Sequence, residues 1–219
     1  DSILSPVSRR SCATCHDPAK AFTDAQKVAL AIDGKTTIKR NTPTLLNAAL
    51  QSRYFYDSRT STLENQLNSV VHNAAEMGGS LQESIPRLAA NKKYARLFAG
   101  AYNEETITQY NIANAISSYV RSLVRVDSRF DRYMRGDNAA LTNNEKNGFN
   151  LFAGKAKCAT CHFIPLFNGV VPPEFVETES EVLGVPQTTS KKNPALSDDE
   201  GKFLFTKSVV HKHAFKTPS

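Results

Sequence analysis

The chain has 219 residues, which is enough for one large or two small domains with a buried core. Its 40% hydrophobic and 22% charged residues exclude a collagen-like, low-complexity or wholly disordered protein. The net charge is +6, but the positive residues are scattered and form no long basic run, for example Arg9, Arg10, Lys39 and Arg40. We therefore expect a solvated basic surface and no nucleic-acid partner. No stretch reaches the roughly 20 consecutive apolar residues that span a bilayer, so we expect no membrane span in this chain.

The cysteines form the clearest pattern in the sequence. All four lie in two copies of the pentapeptide Cys-Ala-Thr-Cys-His, at residues 12–16 and 158–162. C-x-x-C-H is the attachment sequence for c-type haem. On a helical turn the two thiols can each form a thioether with a porphyrin vinyl group, and the adjoining His can ligate the iron. The sequence therefore predicts two covalent c-type haems, one held by Cys12, Cys15 and His16 and the other by Cys158, Cys161 and His162.

Three other chemistries also use pairs of cysteines: structural zinc, a redox dithiol and disulfides. Zinc ribbons usually pair their C-x-x-C units about 15 to 20 residues apart, whereas these units begin at residues 12 and 158. A thioredoxin-like motif does not require the following His. Two haems are therefore favoured over the three alternatives. Because haem attachment of this kind takes place outside the cytoplasmic membrane, we expect a periplasmic protein.

Helices are predicted between the two motifs. Ser80 and Glu83 have the spacing of a capping box that opens a helix. Apolar residues then recur at three- and four-residue steps over about 111–133, which predicts one longer helix. Both helices are expected to contribute to a core.

A further helix is predicted directly before the second motif. Thr142 and Glu145 form a second capping-box pattern, and Gly154 is a plausible end of the helix. Residues 163–201 are rich in Pro, Glu, Ser, Thr and Asp without clear periodicity, which predicts a long loop packed around a haem edge. No run of alternating strands is apparent.

These elements predict a mostly α fold with two cytochrome c-like haem domains, long loops and little strand. The boundary is expected near Arg135-Gly136-Asp137. We therefore predict an N-terminal cytochrome c-like domain at residues 1–136 and a C-terminal one at residues 137–219.

Several sequence blocks together resemble the bacterial di-haem cytochrome c peroxidase family, which also includes MauG-like enzymes that oxidise a protein substrate. The matching blocks are SCATCHDPAKAFTD (11–24), RNTPTLLNA (40–48), FYDSR (55–59), LENQ (63–66), EMG (76–78), FDRYMRGD (130–137), LFAGKAKCATCH (151–162) and FKTPS (215–219). In that family the chain extends further at both ends. We therefore expect this sequence to be a portion of a longer protein, shortened at both ends, with its C-terminal domain truncated.

The resemblance implies a role for individual residues. His16 would be the proximal ligand of a peroxidatic haem in the N-terminal domain, and His162 would ligate an electron-transfer haem in the C-terminal domain. Glu76 would be the acid/base that moves a proton during peroxide cleavage, and Gln66 would orient peroxide or water nearby. Tyr56 stands where the family usually has a Trp between the haems and would carry electrons. Without the resemblance, Glu76 would be interpreted as a solvated surface charge and Gln66 as a helix-surface side chain.

The resemblance also implies a calcium ion, for which Asn41 would be the side-chain ligand and backbone carbonyls would supply other oxygens. The alternative is that Asn41 caps a turn before Pro43. Many family members have a His between the first haem and the NTPT block, where it blocks the peroxide site until the other haem is reduced. Here no His lies between Asp17 and Val71. We therefore expect a first haem that reacts with peroxide without reductive activation, and we interpret His72 as a surface or hydrogen-bonding residue.

The resemblance implies a periplasmic di-haem peroxidase that reduces hydrogen peroxide to water with electrons from a small cytochrome c or copper protein. Two alternatives stay open. One is a MauG-like enzyme that oxidises a partner protein, and the other is a di-haem electron-transfer subunit without peroxidase activity. A homodimer is one option for the assembly.

Overall fold

A computed structural model describes residues 2–6, 10–103, 106–188, 192 and 195–217. The α-helices within these residues are α1 (Cys12–Cys15), α2 (Leu63–His72), α3 (Leu81–Ala90), α4 (Lys92–Tyr102), α5 (Gln109–Ser122), α6 (Arg129–Met134), α7 (Asn143–Ala153) and α8 (Phe203–Thr206). The strands are β1 (Ser180–Val182) and β2 (Ala214–Lys216), and short 3-10 helices lie at Pro18–Lys20, Ala48–Leu50, Cys158–Thr160 and Val209–His211. The predicted mostly α fold with little strand is confirmed.

The chain divides into two compact units. The first comprises Asp1–Ala49 and Thr62–Val124, and the second comprises Leu50–Ser61 and Arg125–Ser219. This division differs from the continuous domains expected at 1–136 and 137–219, because the first unit is interrupted by a segment that belongs to the second. The assignment of one haem domain to each part of the chain stays a prediction.

Side-chain contacts explain why Leu50–Ser61 belongs to the second unit. The hydroxyl groups of Ser52 and Thr178 are 2.7 Å apart, and those of Ser58 and Ser180 are 3.4 Å apart. Each of these contacts joins residues that are more than a hundred positions apart in the sequence. Sequence periodicity reports only local neighbours, so it could not predict this attachment.

Helices α2 to α5 build the core of the first unit. Three of them begin after a hydroxyl side chain that accepts the backbone N–H three residues later, namely Thr62 for α2, Ser80 for α3 and Thr108 for α5. The predicted helix start at Ser80 is thus confirmed. Helices α2 and α3 both pack on α5, and the buried core includes Leu67, Val71, Leu81, Leu88 and Ile112. Burial of each such side chain contributes about 1.5–3 kcal/mol.

The single long helix predicted over about 111–133 is wrong, since α5 ends and α6 begins within it. Ser128 starts α6: its hydroxyl accepts the backbone N–H of Asp131, and the Asp131 carboxylate accepts the backbone N–H of Ser128. At the end of α5, the Leu123 carbonyl accepts the backbone N–H of Asn47 at 2.9 Å. The apolar spacing continues across the break, but the capping chemistry at Ser128 separates the helices.

Helix α7 has the predicted caps. The Thr142 hydroxyl accepts the backbone N–H of Glu145, and the Glu145 carboxylate accepts the backbone N–H of Thr142 at 2.7 Å. Gly154 ends the helix and donates its N–H to the carbonyl of Asn150 at 2.9 Å. The helix therefore stops directly before the second cysteine motif, as expected.

The two strands pair antiparallel, with Ser180 opposite Lys216 and Val182 opposite Ala214. Strand β1 lies inside residues 163–201, which the sequence predicted to be loop. The strand was missed because three residues are too few to show an alternating pattern. The rest of this segment that the structure describes consists of turns, isolated bridges and irregular loop. Across the described ranges, no helix is both long and apolar enough to cross a membrane.

Candidate haem sites

The first C-x-x-C-H motif is a single helical turn. Helix α1 places Cys12 and Cys15 one turn apart, and the backbone N–H of His16 donates to the carbonyl of Cys12 at 2.8 Å. The N–H of Ser11 donates to the Thr14 hydroxyl at 3.1 Å, which supports the start of the turn. Both cysteines are free thiols. The turn therefore presents two thiols and the following imidazole in the order that thioether attachment needs.

The imidazole of His16 is oriented by a backbone carbonyl. Its Nδ1 lies 2.9 Å from the carbonyl oxygen of Phe22, which can only accept a hydrogen bond. In the neutral ring Nδ1 therefore carries the proton, and Nε2 keeps the lone pair that can ligate iron. Burial lowers the pKa of His16, against the opposite effects of the carbonyls of Phe22 and Pro43 and the Asp24 carboxylate. The lowered pKa favours the neutral, metal-binding form.

The turn after His16 has a constrained backbone. Phe22 adopts a left-handed conformation with φ of 59° and donates its N–H to the Asp17 carbonyl at 2.8 Å. A positive φ is uncommon for a bulky residue and is maintained by the surrounding contacts. Here it belongs to the turn whose carbonyl holds the His16 ring.

The second motif repeats this arrangement. The backbone N–H of His162 donates to the Cys158 carbonyl at 3.0 Å, and Nδ1 of His162 lies 2.8 Å from the carbonyl oxygen of Phe167. The ring of Phe152 packs edge-on against His162, with 6.2 Å between centroids, and also contacts Phe167. Each motif histidine thus has its Nδ1 on a nearby backbone carbonyl. The second one also packs against the aromatic ring of Phe152.

Both motifs fit covalent haem. Each provides two thiols that are not in disulfides and an imidazole whose Nδ1 lies on a backbone carbonyl, so that Nε2 is the atom that would ligate iron. When bound, each haem supplies the one-electron chemistry of iron. The residues that would hold the first are Cys12, Cys15 and His16, and those that would hold the second are Cys158, Cys161 and His162.

Three charged side chains act on the thiol of Cys15. Burial is the main cause that raises the pKa of Cys15, the Asp24 and Glu76 carboxylates raise it further, and the Arg10 guanidinium lowers it. Glu76 is half-buried in the turn that follows α2. The structure therefore brings Glu76 within electrostatic reach of the first motif. Sequence reasoning selected Glu76 and did not select Arg10 or Asp24.

The expectation that the positive residues are solvated is wrong for Arg10, which is only 8% exposed. Its Nη1 donates to the Leu30 carbonyl at 2.7 Å, and its Nη2 donates to the Ala31 carbonyl. Nη1 is also 3.7 Å from Sγ of Cys15. The position of Arg10 just before the first motif is the one sequence signal that could have identified it. Its neighbour Arg9 lies outside the described residues.

The remaining sequence-selected residues of the first unit, proposed for peroxide, for calcium or as a surface histidine, have different exposures. Gln66 is half-buried on α2, in the same unit as Glu76. Asn41 is exposed in an irregular segment. His72, at the end of α2, is exposed, and its Nδ1 is 2.8 Å from the Asn68 carbonyl, in line with the expected surface role. Among the residues with described coordinates, no group of three or more His, Cys, Asp or Glu side chains could hold a metal ion.

Tyr56 is half-buried and belongs to the second unit. Its carbonyl accepts the backbone N–H of Lys216 at 2.8 Å. The neighbouring Arg59 donates from Nη1 to both carboxylate oxygens of Asp57, at 3.0 and 2.8 Å, and its guanidinium lies 3.3 Å from the ring centroid of Phe55. The turn around Tyr56 is therefore held by an ion pair and a cation–π contact.

A mostly helical chain with two C-x-x-C-H sites of this geometry is a di-haem c-type cytochrome. The profile of the family described as di-haem cytochrome c peroxidase matches residues 1–139, which is more than half of the chain. The chain belongs to this family.

Curated relatives come from both branches of the family. The chain is 33% identical over 223 residues to the methylamine utilization protein MauG of Methylophilus methylotrophus, with 100% of this chain and 61% of that protein covered. It is 34% identical over 163 residues to the cytochrome c peroxidase Ccp of Escherichia coli, with 74% and 34% covered. It is 28% identical over 220 residues to the cytochrome c551 peroxidase of Nitrosomonas europaea, with 100% and 61% covered. The chain thus spans about three fifths of the length of the MauG and Nitrosomonas relatives.

Solved structures agree with the fold. A MauG-like protein associated with microbial copper homeostasis superposes with a TM-score of 0.86 at 29% identity, with 100% of this chain and 65% of that chain covered. The di-haem peroxidase BthA of Burkholderia thailandensis superposes with a TM-score of 0.76 at 21% identity, with 100% and 62% covered. The second likeness concerns the fold alone.

Proposed function

We propose that the protein is a periplasmic di-haem peroxidase that reduces hydrogen peroxide to water. The observation that carries this proposal is the half-buried Glu76 carboxylate within electrostatic reach of Cys15 in the first haem motif. An electron carrier needs no such acid near its haem, whereas peroxide cleavage does. Membership in the family and the likeness to two named peroxidases support the same function.

In this proposal the two parts of the chain divide the work. The N-terminal part, which carries Cys12, Cys15 and His16, reacts with peroxide. The C-terminal part, which carries the motif at 158–162, receives electrons from a small cytochrome c or copper protein. The net reaction takes two electrons and two protons and converts one hydrogen peroxide molecule into two water molecules.

The side chains of the first unit then have distinct tasks. His16 would ligate the iron of the first haem through Nε2. The hydrogen bond of its Nδ1 to the carbonyl of Phe22 fixes the ring and would make it a stronger ligand. Glu76 would take a proton from one peroxide oxygen and return it to the other oxygen, which leaves as water. Gln66 orients the peroxide or a water molecule. The electrons arrive with the help of Tyr56, whose phenol must release a proton whenever it is oxidised.

In the same proposal, the first haem reacts with peroxide without prior reduction of the second haem. Because no His lies between Asp17 and Val71, no imidazole from that segment can occupy the peroxide side of the first haem. His72 is exposed and is hydrogen-bonded to Asn68 within its own helix. The fully oxidised protein is therefore expected to react with peroxide directly.

Asn41 is proposed as the side-chain ligand of a calcium ion. Calcium takes six to eight oxygen ligands, so backbone carbonyls and water would complete the site. The proposal is tested by titrating calcium into chelator-treated wild-type protein and the Asn41→Ala variant. Saturable binding that the variant lacks supports it, and equal binding by both contradicts it.

A MauG-like enzyme that oxidises a partner protein is the second candidate. It is supported by the similarity to MauG over the whole of this chain and by the missing loop His. Both candidates need the same first site, but they differ in what is consumed. A peroxidase oxidises a small redox protein repeatedly, whereas a MauG-like enzyme leaves a covalent change in its substrate protein.

The test is steady-state peroxide reduction by the full-length holo-protein with reduced cytochrome c or a reduced copper protein. Haem content is checked first by pyridine haemochrome absorbance. Two haems per chain and oxidation of two donor molecules per peroxide support the peroxidase. Two haems with no donor oxidation and consumption of only about one peroxide per chain, whose two electrons the protein itself would supply, favour the MauG-like enzyme. Two haems without peroxide consumption support the electron-transfer subunit.

A further inference from the structure

Arg10 is a buried cation whose described hydrogen-bond partners are neutral. It is 8% exposed, and its guanidinium donates to the carbonyls of Leu30 and Ala31. Removing a guanidinium from water is costly unless the surroundings compensate for it. The two carbonyl dipoles compensate only in part. Arg10 acts electrostatically on the exposed Asp33 carboxylate and on the Cys15 thiol.

The nearest chemically important neighbour is Cys15. Nη1 of Arg10 is 3.7 Å from Sγ of Cys15, the atom that would form the second thioether of the first haem. In the haem-bound protein the guanidinium would therefore lie next to an attachment point of the first haem.

The backbone segment that is hydrogen-bonded to Arg10 also contacts the turn that contains Glu76. Ile32, which follows Ala31, donates its N–H to the carbonyl of Ala75 at 2.7 Å. Arg10 thus joins the residues just before the first motif to the segment that hydrogen-bonds to the turn containing Glu76. Arg10 therefore also has a structural role, and a test of its charge must be separate from a test of these contacts.

We propose that Arg10 is a fixed positive charge that raises the reduction potential of the first haem. The proposal rests on the haem assignment made above. Reduction by the redox partner adds one electron and lowers the positive charge at this position by one. A nearby cation therefore favours the reduced form. The carboxylates of Asp24 and Glu76 act in the opposite direction, as they do on the Cys15 thiol.

The test is a spectroelectrochemical titration of the holo-protein, which follows the reduction of both haems. In Arg10→Gln we expect one of the two transitions to move to lower potential. At a fixed applied potential, the ratio of reduced to oxidised haem in that transition should fall about tenfold, equivalent to about 59 mV for a one-electron couple. Arg10→Met keeps the apolar stem and serves if the Gln variant does not fold.

Two further variants separate charge from structure. Arg10→Lys keeps the positive charge and is expected to leave both transitions close to their wild-type positions. Arg96→Gln removes an exposed arginine of the same unit and is expected to have no effect. Equal displacement in Arg10→Lys and Arg10→Gln, or no displacement in Arg10→Gln and Arg10→Met, would overturn the proposal.

Haem counting distinguishes this proposal from the underlying function. Fewer than two haems in the wild-type protein would contradict the haem assignment itself. Two haems per chain with both reduction transitions unchanged in Arg10→Gln and Arg10→Met would contradict only the role of Arg10.

Discussion

The backbone N–H of Lys216 donates to the carbonyl oxygen of Tyr56 at 2.8 Å, and the ammonium group of the same lysine donates to the side-chain amide oxygen of Gln51. One residue of β2 therefore holds two points of the segment that carries Tyr56. Lys216 is only 8% exposed, and burial lowers its pKa to about 8. The position of Tyr56 is thus linked to a buried amine that changes charge under mildly basic conditions.

Lys216→Met should change how stability depends on pH. The pKa of Lys216 is about 8 in the folded protein against 10.5 for an unperturbed lysine, so the unfolded chain binds more protons between these values. Burial of the ammonium therefore opposes folding below pH 8, and this penalty is relieved as the pH rises to 10.5. Relative to Lys216→Met, the wild type should gain on the order of 3 kcal/mol across this window.

The measurement is the free energy of unfolding in urea at several pH values for both proteins. Lys155→Met, which replaces an exposed lysine of the same unit, is the control and should follow the wild type. A difference in unfolding free energy between wild type and Lys216→Met that stays constant with pH would show that the amine is not penalised by burial.

Glu76→Gln should leave both haems attached and slow peroxide cleavage by roughly a hundredfold or more, because the amide cannot move the proton. The rate is measured by rapid mixing with hydrogen peroxide. Glu83→Gln, which changes an exposed carboxylate of the same unit, is the matched control and should react like the wild type. Unchanged cleavage in Glu76→Gln would remove this residue from the mechanism.

Tyr56→Phe should slow electron delivery to the first haem, since the phenyl ring is much harder to oxidise than the phenol. We expect a decrease of about tenfold, equivalent to about 1.4 kcal/mol of barrier. The measurement is the single-turnover rate at which reduced protein consumes peroxide. Tyr56→Trp restores an oxidisable ring and should recover the rate. Equal rates in all three proteins would exclude a relay role for Tyr56.

Thr142→Ala should destabilise the fold by about 1 kcal/mol, because α7 loses its N-terminal cap. Thr142→Ser keeps the hydroxyl and should lose little. The Thr142 backbone N–H, followed by Arg129, also lowers the pKa of Glu145 to about 2. The stabilising contribution of the charged carboxylate is therefore present above about pH 4.5 and is lost as the pH falls towards 2. Urea unfolding at neutral and acidic pH tests both effects, and equal stability of the Ala and Ser variants would contradict the capping role.

Local sequence patterns were sufficient to predict the haem motifs and several helix ends. The two C-x-x-C-H motifs have fixed spacing, and the caps at Ser80, Thr142 and Gly154 act on neighbouring backbone groups. Each depends on atoms a few positions apart, so the sequence alone is sufficient to predict it. The break between α5 and α6 was also signalled locally by Ser128, but the continuing apolar spacing obscured it.

Long-range contacts could not be predicted in this way. The attachment of Leu50–Ser61 to the second unit depends on partners such as Thr178 and Lys216. The burial of Arg10 depends on the carbonyls of Leu30 and Ala31, which no charge pattern reveals. Family resemblance selected Glu76 and Tyr56, whereas Arg10 and Lys216 emerged only from the folded structure.

The most direct test of the account is stopped-flow absorbance of the full-length holo-protein mixed with hydrogen peroxide, after its haem content has been checked. We predict a rapid change of the Soret band when the fully oxidised protein is used, because no His from residues 17–71 covers the first haem. A change only after half-reduction would contradict the open first site. No change in either state would contradict the peroxidase itself.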